Sequence, residues 1–278
     1  GGAPLFHRDG ARASATVYDE PDYGRVLAID GRPAAFENRF RAGRILEAHL
    51  PLLLAPRVGR VALFGEEAPL AAAVARAYAP LRLVCRGADP AVCDTARLFE
   101  SADDDAAAAP AADGGVAGGQ GYDVLLVMAG PAWTRQGRRA LTAGAWRRYA
   151  RVLADDGLAA VALDGRSLAP AAFQAVVASF AERFPHAHLW CTGLDRWLLL
   201  GSRAPLAVPL DRMMSRFETG AVFRALLDAG VTALPELLSA CVLDEAGVRA
   251  YAAARPRGSV RRGGALDALF ARDNTRRI

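Results

Sequence analysis

Apolar and polar residues follow two successive patterns in the first part of the chain, and each predicts a different structure. Residues 5–36 alternate in short runs between turn residues, which predicts a small antiparallel β module. Within it, Asp30-Gly31 is a dipeptide typical of hairpin turns. Residues 40–55 then change to helical spacing, and Pro51 is expected to break this helix. The apolar positions of that helix are Phe40, Ile45, Leu46, His49, Leu50 and Leu53.

From residue 61 onward, short apolar runs alternate with stretches of helical spacing, which predicts an α/β fold with a doubly wound, mostly parallel sheet. The predicted strands are 61–65, 81–85, 122–128 and 158–163, with a turn at 155–157 before the last. The predicted helices are 69–79, 90–99, 141–153 and 170–184. Residues 189–191 and 197–200 flank a turn and predict an antiparallel hairpin that closes the sheet.

The remaining segments divide the chain into three predicted units. Residues 101–121 are rich in Asp, Ala and Gly and predict a mobile surface loop. Beyond residue 210 we expect a helical C-terminal extension, with helices at 210–218, 220–229, 233–240 and 244–254. The predicted units are a β module at 1–38, an α/β domain at 39–205 and the extension at 206–278.

The composition excludes some kinds of chemistry but does not identify an activity. The chain has 278 residues, of which 53% are hydrophobic and 23% charged, which is typical of a globular protein. Every basic residue is arginine, so Schiff-base chemistry and lysine-dependent phosphate loops are excluded. The formal net charge of +4 is small, and we expect no nucleic-acid partner. No apolar run is long enough to span a membrane, and we expect a cytoplasmic protein.

Other candidate chemistry favours structural roles. The four cysteines lack metal-site spacing, which predicts buried reduced thiols and no bound metal. The histidines are expected to be core or surface residues. A basic helical stretch predicts a solvated amphipathic helix; with Trp146 and Tyr149 interleaved, it leaves open a phosphate, an acidic partner or nucleic acid. Its arginines are Arg135, Arg138, Arg139, Arg147, Arg148 and Arg151.

The order of several loose motifs resembles one known family. They are Tyr23-Gly24-Arg25-Val26-Leu27-Ala28-Ile29-Asp30-Gly31, His49-Leu50-Pro51-Leu52, Asp89-Pro90, Tyr122-Asp123-Val124, Phe184-Pro185-His186, Leu198-Leu199-Leu200-Gly201-Ser202 and Asn274-Thr275. This order is similar to that of the spermidine synthase family of polyamine aminopropyltransferases, and it looks closest to bacterial domains often fused to membrane transporters. The resemblance implies the fold of S-adenosylmethionine-dependent methyltransferases and a homo-oligomer, a dimer, paired through the N-terminal β module.

The resemblance also implies which positions face the nucleoside, and most depart from the family pattern. The glycine-rich loop after the first parallel strand is replaced by Gly65-Glu66-Glu67-Ala68-Pro69. Gly87 stands where an acidic residue should bind the ribose, and Asp89 is expected to cap the next helix. The pocket-equivalent positions are Gly65, Glu66, Gly87, Asp89 and Trp133.

The positions that face the amine depart as well. The catalytic aspartate of the family is missing, and Pro131 lies near its place. Ala34 replaces a polar residue, and Arg44 places a cation where cationic polyamines should bind. Because protonated amines and a sulfonium need carboxylates, we predict no catalytic residue, no cofactor and a non-catalytic binding or assembly module, with a protein partner possible.

Two alternatives stay open. The remodelled pocket around Gly65, Glu66, Asp89 and Trp133 could bind another small ligand of the S-adenosylmethionine type. In that case Glu66 and Glu67 form a new acidic site rather than a solvated turn, and Trp133 stacks on the ligand rather than filling the space. Otherwise the chain is a transferase whose acids come from other positions. Those candidates are Asp30, Glu37 and Asp164.

Overall fold

A computed structural model describes residues 3–11, 13–39, 41–78, 82–86, 89–99, 121–128, 130–132 and 134–254. Its N-terminal part is a four-stranded antiparallel sheet with the order β1-β2-β3-β4. The strands are β1 (Phe6–Asp9), β2 (Ser14–Glu20), β3 (Gly24–Ile29) and β4 (Arg32–Phe36). Asp30 and Gly31 both have a positive φ, of 49° and 72°, as a tight hairpin turn requires. The predicted β module and its Asp30-Gly31 turn are confirmed.

A mixed seven-stranded sheet forms the centre of the molecule, in the order β11-β9-β10-β8-β7-β5-β6. The strands β6, β5, β7 and β8 are parallel, and β8, β10, β9 and β11 pair antiparallel. This arrangement confirms the predicted α/β class and the closing hairpin. The strands are β5 (Arg60–Phe64), β6 (Arg82–Arg86), β7 (Tyr122–Val127), β8 (Leu153–Asp164), β9 (His186–Gly193), β10 (Arg196–Ser202) and β11 (Cys241–Leu243).

Helices cover both faces of this sheet, because alternate strand residues point to opposite sides. On one face, Leu63, Leu126 and Leu200 pack beneath α1, α2 and the helices of the C-terminal extension. On the other, Leu125 and Val161 pack beneath α5, α6 and α10. The helices are α1 (Arg41–Leu54), α2 (Ala68–Ala75), α3 (Pro90–Cys93), α4 (Arg135–Ala140), α5 (Ala143–Val152), α6 (Pro170–Ala181), α7 (Leu210–Phe217), α8 (Gly220–Asp228), α9 (Leu234–Ser239) and α10 (Glu245–Ala253).

Helix α1 is the element around which the other units assemble. The predicted break at Pro51 is wrong, since the helix continues to Leu54. Its end is held by Arg216 of α7, whose Nη1 donates to the carbonyl oxygens of Leu52 at 2.7 Å, Leu53 at 3.1 Å and Ala55 at 2.7 Å. These bonds satisfy carbonyls at the helix end, and burial of the last turn holds Pro51 in place.

The N-terminal sheet packs against the start of the central domain. Val17, Leu27 and Ala35 share one small core with Leu70 of α2 and Val92 of α3. The extension also buries its side chains in the core of the central sheet. The division into units 1–38, 39–205 and 206–278 therefore stays a prediction.

Several boundaries differ from the predicted ones. The predicted helix 90–99 is the short α3 followed by a 3-10 turn at Ala96–Phe99. The predicted turn at 155–157 lies inside β8, where the register with β7 shifts. β11 was not predicted. The loop predicted at 101–121 lies almost wholly outside the described residues, as does the chain beyond residue 254.

The predicted reduced state of all four cysteines is wrong for one pair. A disulfide joins Cys85 of β6 to Cys93 of α3, with the two Cα atoms 5.7 Å apart. This separation of the Cα atoms is within the range that a disulfide requires. Cys191 and Cys241 are free thiols.

Within the described ranges, every helix is too short or too polar to cross a lipid bilayer. The same ranges contain no cluster of three or more His, Cys, Asp or Glu side chains that could hold a metal ion.

The disulfide is expected to stabilise the fold. Closing a loop of this length corresponds to about 2–3 kcal/mol of unfolding free energy. Urea unfolding of the oxidised protein should therefore show that Cys93→Ser lowers stability by that amount, and a thiol reductant should lower the wild type similarly. Cys241→Ser is the matched control and should respond little. A wild type unaffected by the reductant would contradict the bond.

Candidate functional site

The carboxyl ends of the parallel strands form the edge where ligands of open α/β sheets bind. Here β5 ends at Phe64, and Gly65 turns the chain toward α2 with a φ of +107°, which favours glycine. Glu66 and Glu67 follow at once. Glu67 is the N-cap residue of α2, and its backbone N–H donates to the carbonyl of Met128 after β7 at 3.3 Å. This edge therefore brings two consecutive carboxylates to the expected ligand position.

A buried ion pair between α1 and β10 lies beside this edge. Glu47 of α1 accepts two hydrogen bonds from the guanidinium of Arg196, from Nε at 2.8 Å and from Nη2 at 2.5 Å. The hydroxyl of Thr192 on β9 donates a third at 3.1 Å. Since Arg196 begins β10 opposite Asp164 at the end of β8, the pair lies at the carboxyl edge of the sheet.

A second pair extends the cluster to Glu67. The Nε of Arg44, one helical turn before Glu47, donates to Oε2 of Glu67 at 3.1 Å. Nη2 of Arg196 lies 3.4 Å from the same oxygen, so Glu67 bridges the two arginines. Nη1 of Arg44 donates to the carbonyl of Phe36 at the end of β4. We call Arg44, Glu47, Glu67 and Arg196 the edge network.

All four side chains of the edge network are buried, and their formal charges cancel. Burial raises the pKa of Glu47 against the pull of Arg196. Burial acts in the same direction on Glu67, but Arg44 and Arg196 outweigh it and lower the pKa of that carboxyl. Burial disfavours the Arg196 cation, yet Glu47 and Glu67 raise its pKa above the ordinary value. Each charge thus depends on its partners.

The edge network therefore joins three elements and leaves little charge for a ligand. It connects α1 to the β9–β10 hairpin and to the N-terminus of α2. Removing one member of such a network leaves an uncompensated buried charge, which costs much more than an exposed ion pair contributes. The expectation of a solvated turn is wrong for Glu67.

Glu66 is the other acid of this consecutive pair. It is half-buried, and its carboxylate has no hydrogen-bond or ion-pair partner among the residues that the structure describes. Burial, and then the neighbouring Glu67, raise its pKa. It lies close to Gly130, where an added Cβ would be 3.3 Å from Oε2 of Glu66. Glu66 is thus the one acid of the pair that is not committed to an arginine.

The predicted pocket positions do not all lie in one place. Gly65 and Glu66 lie together at the edge, whereas Gly87 and Trp133 lie outside the described residues. Asp89 caps α3 as expected: its Oδ1 accepts from the N–H of Ala91 at 3.0 Å. Asp89 is buried against Gly10, where a Cβ would meet Oδ1 at 2.0 Å. Arg44 lies near the edge as expected, but Glu67 neutralises it.

The three acids that the transferase alternative would use form local contacts. Oδ1 of Asp30 accepts from the N–H of Ser14 at 2.9 Å, within the N-terminal sheet. Oε2 of Glu37 accepts from the N–H of Arg25 at 2.9 Å. Asp164 caps the turn after β8 through the N–H of Arg166 at 3.0 Å. All three therefore accept hydrogen bonds from backbone amides.

Sequence reasoning missed Glu47, Thr192 and Arg196. One local signal was present: Arg44 and Glu47 are three residues apart and share a helix face that is otherwise apolar. A charged pair on a buried face indicates a partner elsewhere. No local pattern could identify that partner, because Arg196 lies 149 residues away along the chain.

The remaining candidate side chains make contacts typical of structural residues. His49 is buried, and its Nδ1 lies 2.6 Å from the hydroxyl of Tyr78. Nδ1 of His186 lies 2.7 Å from Glu245. Trp146 and Tyr149 belong to the basic helix, and both side chains are buried in the core. The aromatic rings that the nucleic-acid alternative requires are therefore not available for base stacking.

The fold is similar to that of solved spermidine synthases. A crystal structure of spermidine synthase in complex with the transition state analogue AdoDATO superposes with a TM-score of 0.61 at 17% identity, over 90% of this chain and 88% of that chain. Spermidine synthase from Thermotoga maritima gives a TM-score of 0.56 at 18% identity, over 85% of this chain and 86% of that chain. No protein-family model and no curated protein matches the sequence. The spermidine-synthase-like fold is confirmed, and the loss of motifs stays a prediction.

The edge network predicts a large effect of a small substitution. Glu47→Gln keeps the shape but leaves Arg196 buried without its main counter-charge, so the free energy of unfolding should fall by about 3–5 kcal/mol. Asp195→Asn is the matched control, because the Arg166–Asp195 pair is exposed and should contribute less than about 1 kcal/mol. Urea denaturation measures both. Equal small losses would show that the network does not stabilise the fold.

The burial of His49 predicts that the stability of the fold depends on pH. Burial lowers the pKa of His49 from 6.5 to about 3, so the unfolded chain takes up a proton that the folded chain does not. Stability from this group is complete above pH 6.5 and is lost toward pH 3, at up to about 1.4 kcal/mol per pH unit. His49→Leu should remove that slope between pH 6.5 and 5, whereas His7→Leu should keep it. An unchanged slope in His49→Leu would refute this assignment.

Proposed function

We propose that this chain is a spermidine-synthase-like protein that has lost aminopropyl transfer and serves as a non-catalytic binding or assembly module. The observation that carries the proposal is the edge network. It occupies the carboxyl edge, beside the place where a spermidine-synthase-like fold would receive its nucleoside.

The chemistry of the reaction gives this observation its weight. A protonated amine and a sulfonium are both cations, and a site for them needs carboxylates with no competing partner. Glu47 and Glu67 are each bound to an arginine. Releasing either carboxylate to a substrate would leave an arginine buried and unpaired, which costs several kcal/mol. These two acids are thus poorly suited to substrate binding.

An assembly role draws on the N-terminal sheet. Within the described residues, its outer strands β1 and β4 each pair on one side only. An open strand edge is a surface on which a second copy can add its own strand. We propose a homodimer through this module, and its test is the mass of the protein in solution.

One observation favours a different function. Glu66 keeps a half-buried carboxylate with no partner in the described part of the chain. Such a group beside Gly65 suits one cationic ligand of the S-adenosylmethionine type. In this alternative the chain is a transferase with a remodelled pocket, and Glu66 binds the cation.

Calorimetric titration distinguishes the two functions. We expect no saturable heat with S-adenosylmethionine, its decarboxylated form or methylthioadenosine at millimolar ligand, and no thermal stabilisation. Binding in the micromolar range, about −8 kcal/mol, would overturn the non-catalytic proposal. Glu66→Gln then tests the alternative: it should weaken the two sulfonium ligands and leave the uncharged thioether methylthioadenosine unchanged.

A further inference from the structure

A cavity of about 620 Å³ lies between α1, α2 and α8, and Arg44 of the edge network is one of its lining residues. This volume is within the range of small-molecule sites. The proposed function makes no use of it. One wall comes from the helical extension, so the cavity exists only because α8 packs beside α1 and α2.

The rim of the cavity carries an uncommitted cation. Arg224 of α8 is exposed, and its guanidinium forms no hydrogen bond or ion pair with any residue that the structure describes. Nearby, Nη2 of Arg41 lies 3.3 Å from Oδ2 of Asp228, which is an exposed pair and hence weak. A ligand carboxylate can bind Arg224 and compete for Arg41 without breaking a buried contact.

The other charged residues of the cavity are already engaged. Glu37 directs Oε2 to the backbone N–H of Arg25 at 2.9 Å. Arg44 is held by Glu67 and by the carbonyl of Phe36. The charge that the cavity presents to a ligand is therefore positive.

Part of the cavity lining is apolar. Ile45, Leu70, Val74 and Phe99 contribute to it. Small side chains leave space beside them, at Ala73 of α2, at Ala77 in the 3-10 turn after α2, and at Ala221 and Ala225 of α8. A hydrocarbon or aromatic group that enters would be removed from water, which favours binding.

We propose that this cavity binds a small amphipathic organic anion, with its carboxylate on Arg224 and Arg41 and its apolar part against α2. A guanidinium presents paired N–H donors that match a carboxylate, and charge-assisted bonds of this kind are stronger than neutral ones. An alkyl chain or ring of about eight heavy atoms fits a cavity of this size.

Calorimetry on the full chain with two probes tests the proposal. The probes are sodium octanoate and 1-anilinonaphthalene-8-sulfonate, with octylammonium and octanol as charge controls. We expect one saturable site for each anion and displacement of one by the other. Octanol should bind at least about tenfold more weakly than octanoate, because it lacks the charge.

Three variants locate the site. Arg224→Gln should weaken octanoate about tenfold and leave octanol unchanged. Ala221→Leu should abolish binding of both by filling the space, and circular dichroism checks that it folds. Arg148→Gln, on the opposite face of the sheet, should change nothing.

Several outcomes would overturn the proposal. They are no saturable binding of either anion at millimolar concentration, equal or tighter binding of octylammonium, or anion binding that survives both Arg224→Gln and Ala221→Leu. None of these results depends on the nucleoside titration, so this proposal and the proposed function succeed or fail separately.

Discussion

The structure depends on one buried carboxylate, Glu47 of α1, and on its pairing with Arg196. Neither residue could be buried alone, because an isolated charge in the core costs many kcal/mol. Together, and with Thr192 completing the contacts, they bind α1 to the closing hairpin of the sheet. At its C-terminal end the same helix is capped by Arg216 of the extension. This helix of 14 residues is thus held at its middle and at its C-terminal end by arginines from distant parts of the chain.

This arrangement links stability to the balance of charges at the carboxyl edge of the sheet. An enzyme for cationic substrates needs acids whose negative charge is uncompensated, and such acids destabilise the fold around them. At this edge Glu67 is compensated by two arginines, and Glu66, its neighbour in sequence, is left outside the network. The two consecutive glutamates thus have opposite environments: Glu67 is ionised and structural, whereas Glu66 has a raised pKa and no hydrogen-bond or ion-pair partner among the described residues.

The sequence predicted what local patterns determine. The Asp30-Gly31 turn, the strand periods and the capping role of Asp89 follow from residues close together in the chain. The edge network does not, since its main pair joins residues 149 positions apart and only the α1 side of that pair leaves a local signal in the sequence. The break expected at Pro51 failed for a similar reason: packing and the cap from Arg216 override the local preference. The Cys85–Cys93 bond depends on how α3 packs against β6, which composition alone does not reveal.

The two sides of α1 differ in how firmly their charges are fixed, and Arg44 lies at the boundary between them. It lines the cavity, yet its guanidinium is bound to Glu67 and to the carbonyl of Phe36. Turning Arg44 into the cavity would break a buried ion pair, whereas Arg224 can approach an anion without losing any contact in the described part of the chain. Recognition on the cavity side therefore falls to the exposed arginines of α1 and α8. The buried arginines stay paired with carboxylates at the edge, so the fold separates these structural charges from the exposed arginines that line the cavity.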